Sequence, residues 1–107
     1  MICRVWHGWT KPLNADAYER LLKEEIFEGI ARRKIDGYRG IQLLRQDQEM
    51  EIEFVTMMWF TSLEAVRAFA GDDITRAVVP AKAQALLSRY DDRSAHYDVR
   101  ADQRTGP

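Results

Sequence analysis

The sequence predicts an α+β domain of ferredoxin-like type, β-α-β-β-α-β, whose four-stranded antiparallel sheet carries its helices on one face. Three observations predict it. Ile52 to Phe60 is rich in β-branched and aromatic residues and runs directly into a helical repeat, Leu63, Val66, Phe69 and Ala70, behind the hydroxyls of Thr61 and Ser62. Tyr38 to Gln46 precedes that strand across Asp47–Met50, a connection short enough for a hairpin. A long helical repeat separates both from an N-terminal strand. Right-handed crossovers then place the first and third strands at the centre.

Met1 to Thr10 holds Ile2, Val5, Trp6 and Trp9 without helical period and reads as the first strand. One face carries Cys3, Val5, His7 and Trp9; the other carries Ile2, Arg4, Trp6 and Gly8. Lys11-Pro12-Leu13-Asn14 ends it, with Asn14 as N-cap and Asp16 as a favourable first-turn charge. The first helix extends to about Lys34 on Tyr18, Leu22, Ile26 and Ile30 and stops at Asp36-Gly37. Ile41, Leu43 and Leu44 mark the second strand. After the second helix, Gly71-Asp72-Asp73 breaks the chain, and Ile74 to Arg89 is expected to be helical in two pieces divided at Pro80. Asp91-Asp92-Arg93 is a turn, and Ser94 to Arg100 is the last strand. One domain thus spans residues 1–100, and the patternless polar residues 101–107 form a frayed tail.

The third strand is apolar on both sides: Ile52, Phe54, Met58 and Phe60 on one, Val55, Met57 and Trp59 on the other. Helices cover only one face of such a sheet, so the second face needs other cover. Ile52, Phe54, Met58 and Phe60 are assigned to a homodimer packed sheet against sheet, with burial contributing about 25 cal/mol per Å². The face ending at Trp59 is left for a pocket.

Composition bounds the function. With 107 residues there is room for one core, and 46% apolar and 31% charged residues describe an ordinary globular protein. The net charge of -1 gives no reason to expect nucleic acid or an anionic membrane as partner. Arginine outnumbers lysine, but its residues are scattered. The lone Cys3 excludes an internal disulfide and fits a reducing compartment. No run approaches the length of a membrane span, and Arg4 and His7 interrupt the N-terminal apolar run, so no signal peptide is visible. A cytoplasmic location is expected.

Asp36-Gly37-Tyr38-Arg39-Gly40 after the long helix, and Met58-Trp59-Phe60-Thr61-Ser62-Leu63-Glu64-Ala65 at the strand-to-helix junction, carry a resemblance. With this element order, the chain as far as Val99 resembles the antibiotic biosynthesis monooxygenase (ABM) domain of the dimeric α+β barrel superfamily. That resemblance implies a dimer with a pocket between sheet and helices, lined by a Trp at the end of the third strand, which Trp59 matches. It also implies one of three activities: cofactor-free monooxygenation in polyketide quinone biosynthesis, haem degradation, or an activity unknown. The haem-degrading branch resembles the chain least. It uses an Asn on the first strand and a His on the second helical region, whereas Asn14 lies in a turn and no His stands between Thr61 and Arg89.

His7 and His96 are the side chains expected to titrate near neutral pH, and their strands are neighbours in this fold, so they meet if register and faces agree. With Trp9 and Trp59 as walls they would form an aromatic pocket suited to deprotonating a phenolic or enolic substrate. The resulting carbanion-like anion reacts with oxygen directly, so no cofactor and no metal are required; two histidines without a spacing motif make no metal site. A purely structural use of both histidines competes with this. Trp6 is assigned to the partner sheet, Cys3 to core filling, and Glu51 and Glu53 to solvated charges that discourage edge pairing. No glycine-rich phosphate loop opens a helix. The expected function is a dimeric ABM-like small-molecule binder, acting as a cofactor-independent monooxygenase on an aromatic or polyketide-like substrate with His7 or His96 as base. The alternative is a non-catalytic ligand-binding or stress-related module of the same fold, with haem binding third.

Overall fold

A computed structural model describes residues 1–106. The chain runs β1 (Ile2–Thr10), α1 (Pro12–Leu21), a π turn (Leu22–Ile26), α2 (Phe27–Arg32), β2 (Tyr38–Asp47), β3 (Ile52–Phe60), α3 (Leu63–Ala70), α4 (Ala81–Leu86), β4 (Leu87–Tyr90) and β5 (Ala95–Asp98). The sheet order is β2-β3-β1-β4, with β5 also on β1, and every pair is antiparallel. The fold is therefore the expected ferredoxin-like one, with the first and third strands central. The fourth sheet position is shared: β4 pairs with Gly8–Thr10 and β5 with Ile2–Val5. The sheet of one chain is open.

Local chemistry sets the boundaries. Helix α1 begins at Pro12 rather than after Asn14, because Pro12 brings a preset φ to a position where no N–H is needed. Lys11 occupies the cap, and the Asn14 side-chain amide instead donates to the Leu86 carbonyl at 3.5 Å. Ser62 caps α3 as its sequence position predicts, its Oγ accepting from the Ala65 N–H at 3.2 Å. Gly37 has φ 89°, and a Cβ there would lie 2.5 Å from Thr61 Oγ1, so glycine alone fits. The Gly37 carbonyl accepts from the Thr61 N–H at 2.8 Å, tying the exit of the first helical region to the start of the second.

The segment Ile74–Pro80 is not helical, and the expected helix over Ile74–Arg89 shrinks to α4. Long-range bonds claim this backbone. The Thr75 carbonyl accepts from the Ser94 N–H at 2.6 Å, and the Ala77 N–H donates to the Asp92 carbonyl at 2.9 Å. Leu87 to Tyr90 then joins the edge of β1 as a strand.

The faces of β3 are the reverse of the expected ones. Phe54 and Phe60 are fully buried, and Ile52 and Met58 nearly so, against Tyr18, Leu22 and Ala83 in one cluster and Ala65, Val66 and Phe69 in another. These four residues lie under the helices of their own chain and cannot form a dimer face. Val55, Met57 and Trp59 are half-buried on the open side. The register explains it, because Glu53 shares their face and a carboxylate is poorly placed under a helix layer. No helix among the described residues is long and apolar enough to cross a membrane.

Candidate functional site

A cleft opens between the sheet and the helices, floored by Arg4, Trp6, Thr56 and Met58 and walled by Tyr18, Leu22, Ile26, Phe27 and Val78–Pro80. It holds about 60 Å³ of free space, room for a few water molecules. The π turn shapes its helical wall. Leu22 and Ile26 from the π turn, with Phe27 and Ile30 from the helix that follows, face the cleft. Trp6 lies flat over Gly8, where a Cβ would come within 2.7 Å of the indole Cη2. Its Nε1–H donates to the Asp91 carbonyl at 2.8 Å.

Arg4 is the charged group of the cleft, and only 3% of it is exposed. Its Nη1 donates to the Ile74 carbonyl and, at 2.9 Å, to His96 Nε2; its Nη2 donates to the Arg76 carbonyl at 2.9 Å. The guanidinium also lies 5.5 Å from the centre of the Phe69 ring. Burial lowers its pKa to about 10, which leaves it charged at neutral pH. Since arginine only donates, His96 Nε2 must be the unprotonated nitrogen of a neutral ring. Burial first, and the Arg4 charge second, hold the His96 pKa below its ordinary value.

His7 lies on the other face of the sheet. Arg4 is the register partner of His96, so His7, three residues on, points away from it. The two histidines therefore do not meet. His7 Nδ1 pairs with Glu53 Oε2 at 2.9 Å, and its ring stacks on Trp9 with centroids 6.1 Å apart. The Arg89 guanidinium covers Trp9 at 3.8 Å and binds Glu51 at 2.9 Å, so Glu51 and Glu53 are ion-pair partners rather than free solvated charges. Trp59 also lies on this open face, opposite Cys3, with the Arg104 guanidinium 5.8 Å from its ring centre. Burial pushes the Cys3 thiol pKa up, away from the reactive thiolate. Among the described residues no cluster of three His, Cys, Asp or Glu side chains is arranged to hold a metal.

Neither Trp9 nor Trp59 lines the cleft, whereas Trp6, expected at a partner sheet, does. Arg4, Thr56 and Ser94 are polar lining residues that sequence reasoning passed over. The available signal was parity: Arg4, Trp6 and Gly8 share one face of β1, and a bulky indole beside a glycine marks space being made.

No family model matches the chain and no curated protein does. Among solved structures, a candidate antibiotic biosynthesis monooxygenase from Bacillus cereus is 19% identical, with a TM-score of 0.66; the match covers 100% of this chain and 98% of that one. The haem degrader MhuD from Mycobacterium tuberculosis, solved with two haems in its active site, is 22% identical, with a TM-score of 0.55 over 96% of this chain and 99% of that one. The chain shares the ABM-type fold from end to end.

Proposed function

We propose that this chain is a small-molecule-binding protein of ABM type whose ligand occupies the cleft under the helices, and that it is a cofactor-independent monooxygenase for an aromatic or polyketide-like substrate. The observation that carries the reading is a cleft of apolar and aromatic walls with one cation at its floor, bonded to a neutral imidazole just behind the lining, in a fold shared with an ABM protein. A neutral imidazole can accept a proton at neutral pH. Because Nε2 of His96 is bonded to Arg4, it must exchange that bond for one to the substrate before it acts as base. The substrate anion then supplies the electrons that reduce oxygen. One oxygen atom becomes a carbonyl on the former methylene carbon, and the other leaves as water. Oxygen uptake with an anthrone-type substrate, lost in His96→Ala and retained in His7→Ala, is the expected result. Equal uptake by wild type and His96→Ala would remove His96 as base.

A second reading, a non-catalytic binder, is favoured by one observation: the only imidazole beside the cleft has its basic nitrogen occupied. Ligand binding without oxygen uptake would establish it. Haem does not fit. The lining offers no His or Cys, and burial holds the Tyr18 phenol protonated.

The open face belongs, in this reading, to a second copy. Val5, Val55 and Met57, half-buried, and the exposed Leu44 form an apolar centre, flanked by the His7–Trp9 stack, on a five-stranded sheet. Sedimentation should give a homodimer that Val55→Asp converts to monomer with its circular dichroism intact. A monomeric wild type at micromolar concentration would reject the dimer.

A further inference from the structure

We infer that Arg4 is an anion anchor: the ligand of the cleft is an apolar, ring-bearing molecule that presents one ionised oxygen group, an enolate or phenolate, to this guanidinium. The inference rests on the cleft being the ligand site and adds what that ligand must carry.

A buried charge is stable only when paired and hydrogen-bonded. Arg4 is hydrogen-bonded but unpaired. Its partners are two carbonyls and a neutral imidazole, and no carboxylate among the described residues forms an ion pair with it. The nearest loop carries Asp73, which is taken by Arg93 at 2.6 Å. Elsewhere Arg45, Arg67, Arg89 and Arg104 each hold a carboxylate, all of them far more exposed than Arg4. The least solvated of these arginines is the one left without a counter-charge.

A guanidinium carries five N–H groups. The described residues accept from three, leaving the Nε–H and one Nη2–H without a protein acceptor. Those two can present a fork to a ligand oxygen while the bonds to the Ile74 and Arg76 carbonyls stay in place. The rest of the lining is nearly all apolar or aromatic, Thr56 and Ser94 excepted, so the ligand's remaining surface must be too. The free space of about 60 Å³ takes the oxygen group and little more. Ring entry therefore requires the Val78–Pro80 wall, which has no regular secondary structure, to move outward.

Calorimetric titration of the full chain with 4-hydroxycoumarin, an enol ionised at neutral pH, and with uncharged 4-methoxycoumarin tests this. The anion should bind at least about tenfold more tightly than its neutral isostere. In Arg4→Lys, which keeps the charge and loses the fork, that preference should narrow; in a folded Arg4→Met it should vanish. If both coumarins bind equally well to the wild type, the anchor is refuted while the cleft reading stands. If neither binds, or if Trp6→Phe binds both as the wild type does, the cleft reading fails and the anchor falls with it. Because the wild-type comparison decides the matter, a variant that does not fold leaves the test intact.

Discussion

On the helix-covered face of the sheet, Arg4 is buried without a counter-charge; on the open face His7, Glu53, Arg89 and Glu51 stand paired beside the Trp9 indole. Solvation alone would predict the opposite, since unpaired charge is cheapest in water. The difference teaches which face needs something from outside to complete its electrostatics. The open face is balanced within the chain and lacks only apolar cover. The covered face has its apolar packing and lacks an anion.

The comparison can be broken most forcefully at β3, where neighbouring residues face opposite ways. Phe60→Ala should cost about 3–5 kcal/mol in urea unfolding, while Met57→Ala, measured where the chain is monomeric, should cost about 1 kcal/mol. Similar losses at both positions would mean that the two faces are equally covered. The next effect is a pH dependence. Because the folded pKa of His96 lies below its ordinary 6.5, the unfolded chain takes up a proton as pH falls through that value before the folded chain does. Its contribution is thus intact above about pH 6.5 and is lost on acidification towards the lowered folded value. The urea midpoint should fall between about pH 7.5 and about pH 5.5, and His96→Gln should flatten that fall. The smallest effect belongs to the open face. His7→Ala should change stability by less than about 1 kcal/mol, since its pair with Glu53 is half-exposed. A larger loss in a dilution series that separates monomer from dimer would place His7 inside an interface.

Much of the fold was legible in the residues alone. Element order, the hairpin, the Ser62 cap and the central pairing of β1 with β3 all come from local pattern and handedness. The face assignment did not come from apolar content, because β3 is apolar on both sides. The decisive residue is Glu53, which marks its face as the wetter one. Ile74–Pro80 was beyond local reading, since its conformation is dictated by Arg4, Asp92 and Ser94, each distant in sequence. The same remoteness hid the site: nothing near Arg4 in the chain announces that its charge is buried, and His96 joins it only through strand pairing. His7 and His96 looked alike as titratable residues, and only register separates them.

The π turn at Leu22–Ile26 has a consequence for how such a cleft can change over time. A π turn amounts to a helix that has absorbed one extra residue while both of its ends stayed docked. Removing a residue there would restore a regular helix while its downstream turns stayed docked on the sheet. The change would be confined to the stretch of wall at Leu22–Ile26, while Phe27, Ile30, the strands and their register stayed in place. A single-codon insertion or deletion at this point would therefore re-cut the cleft in one step on an unchanged scaffold.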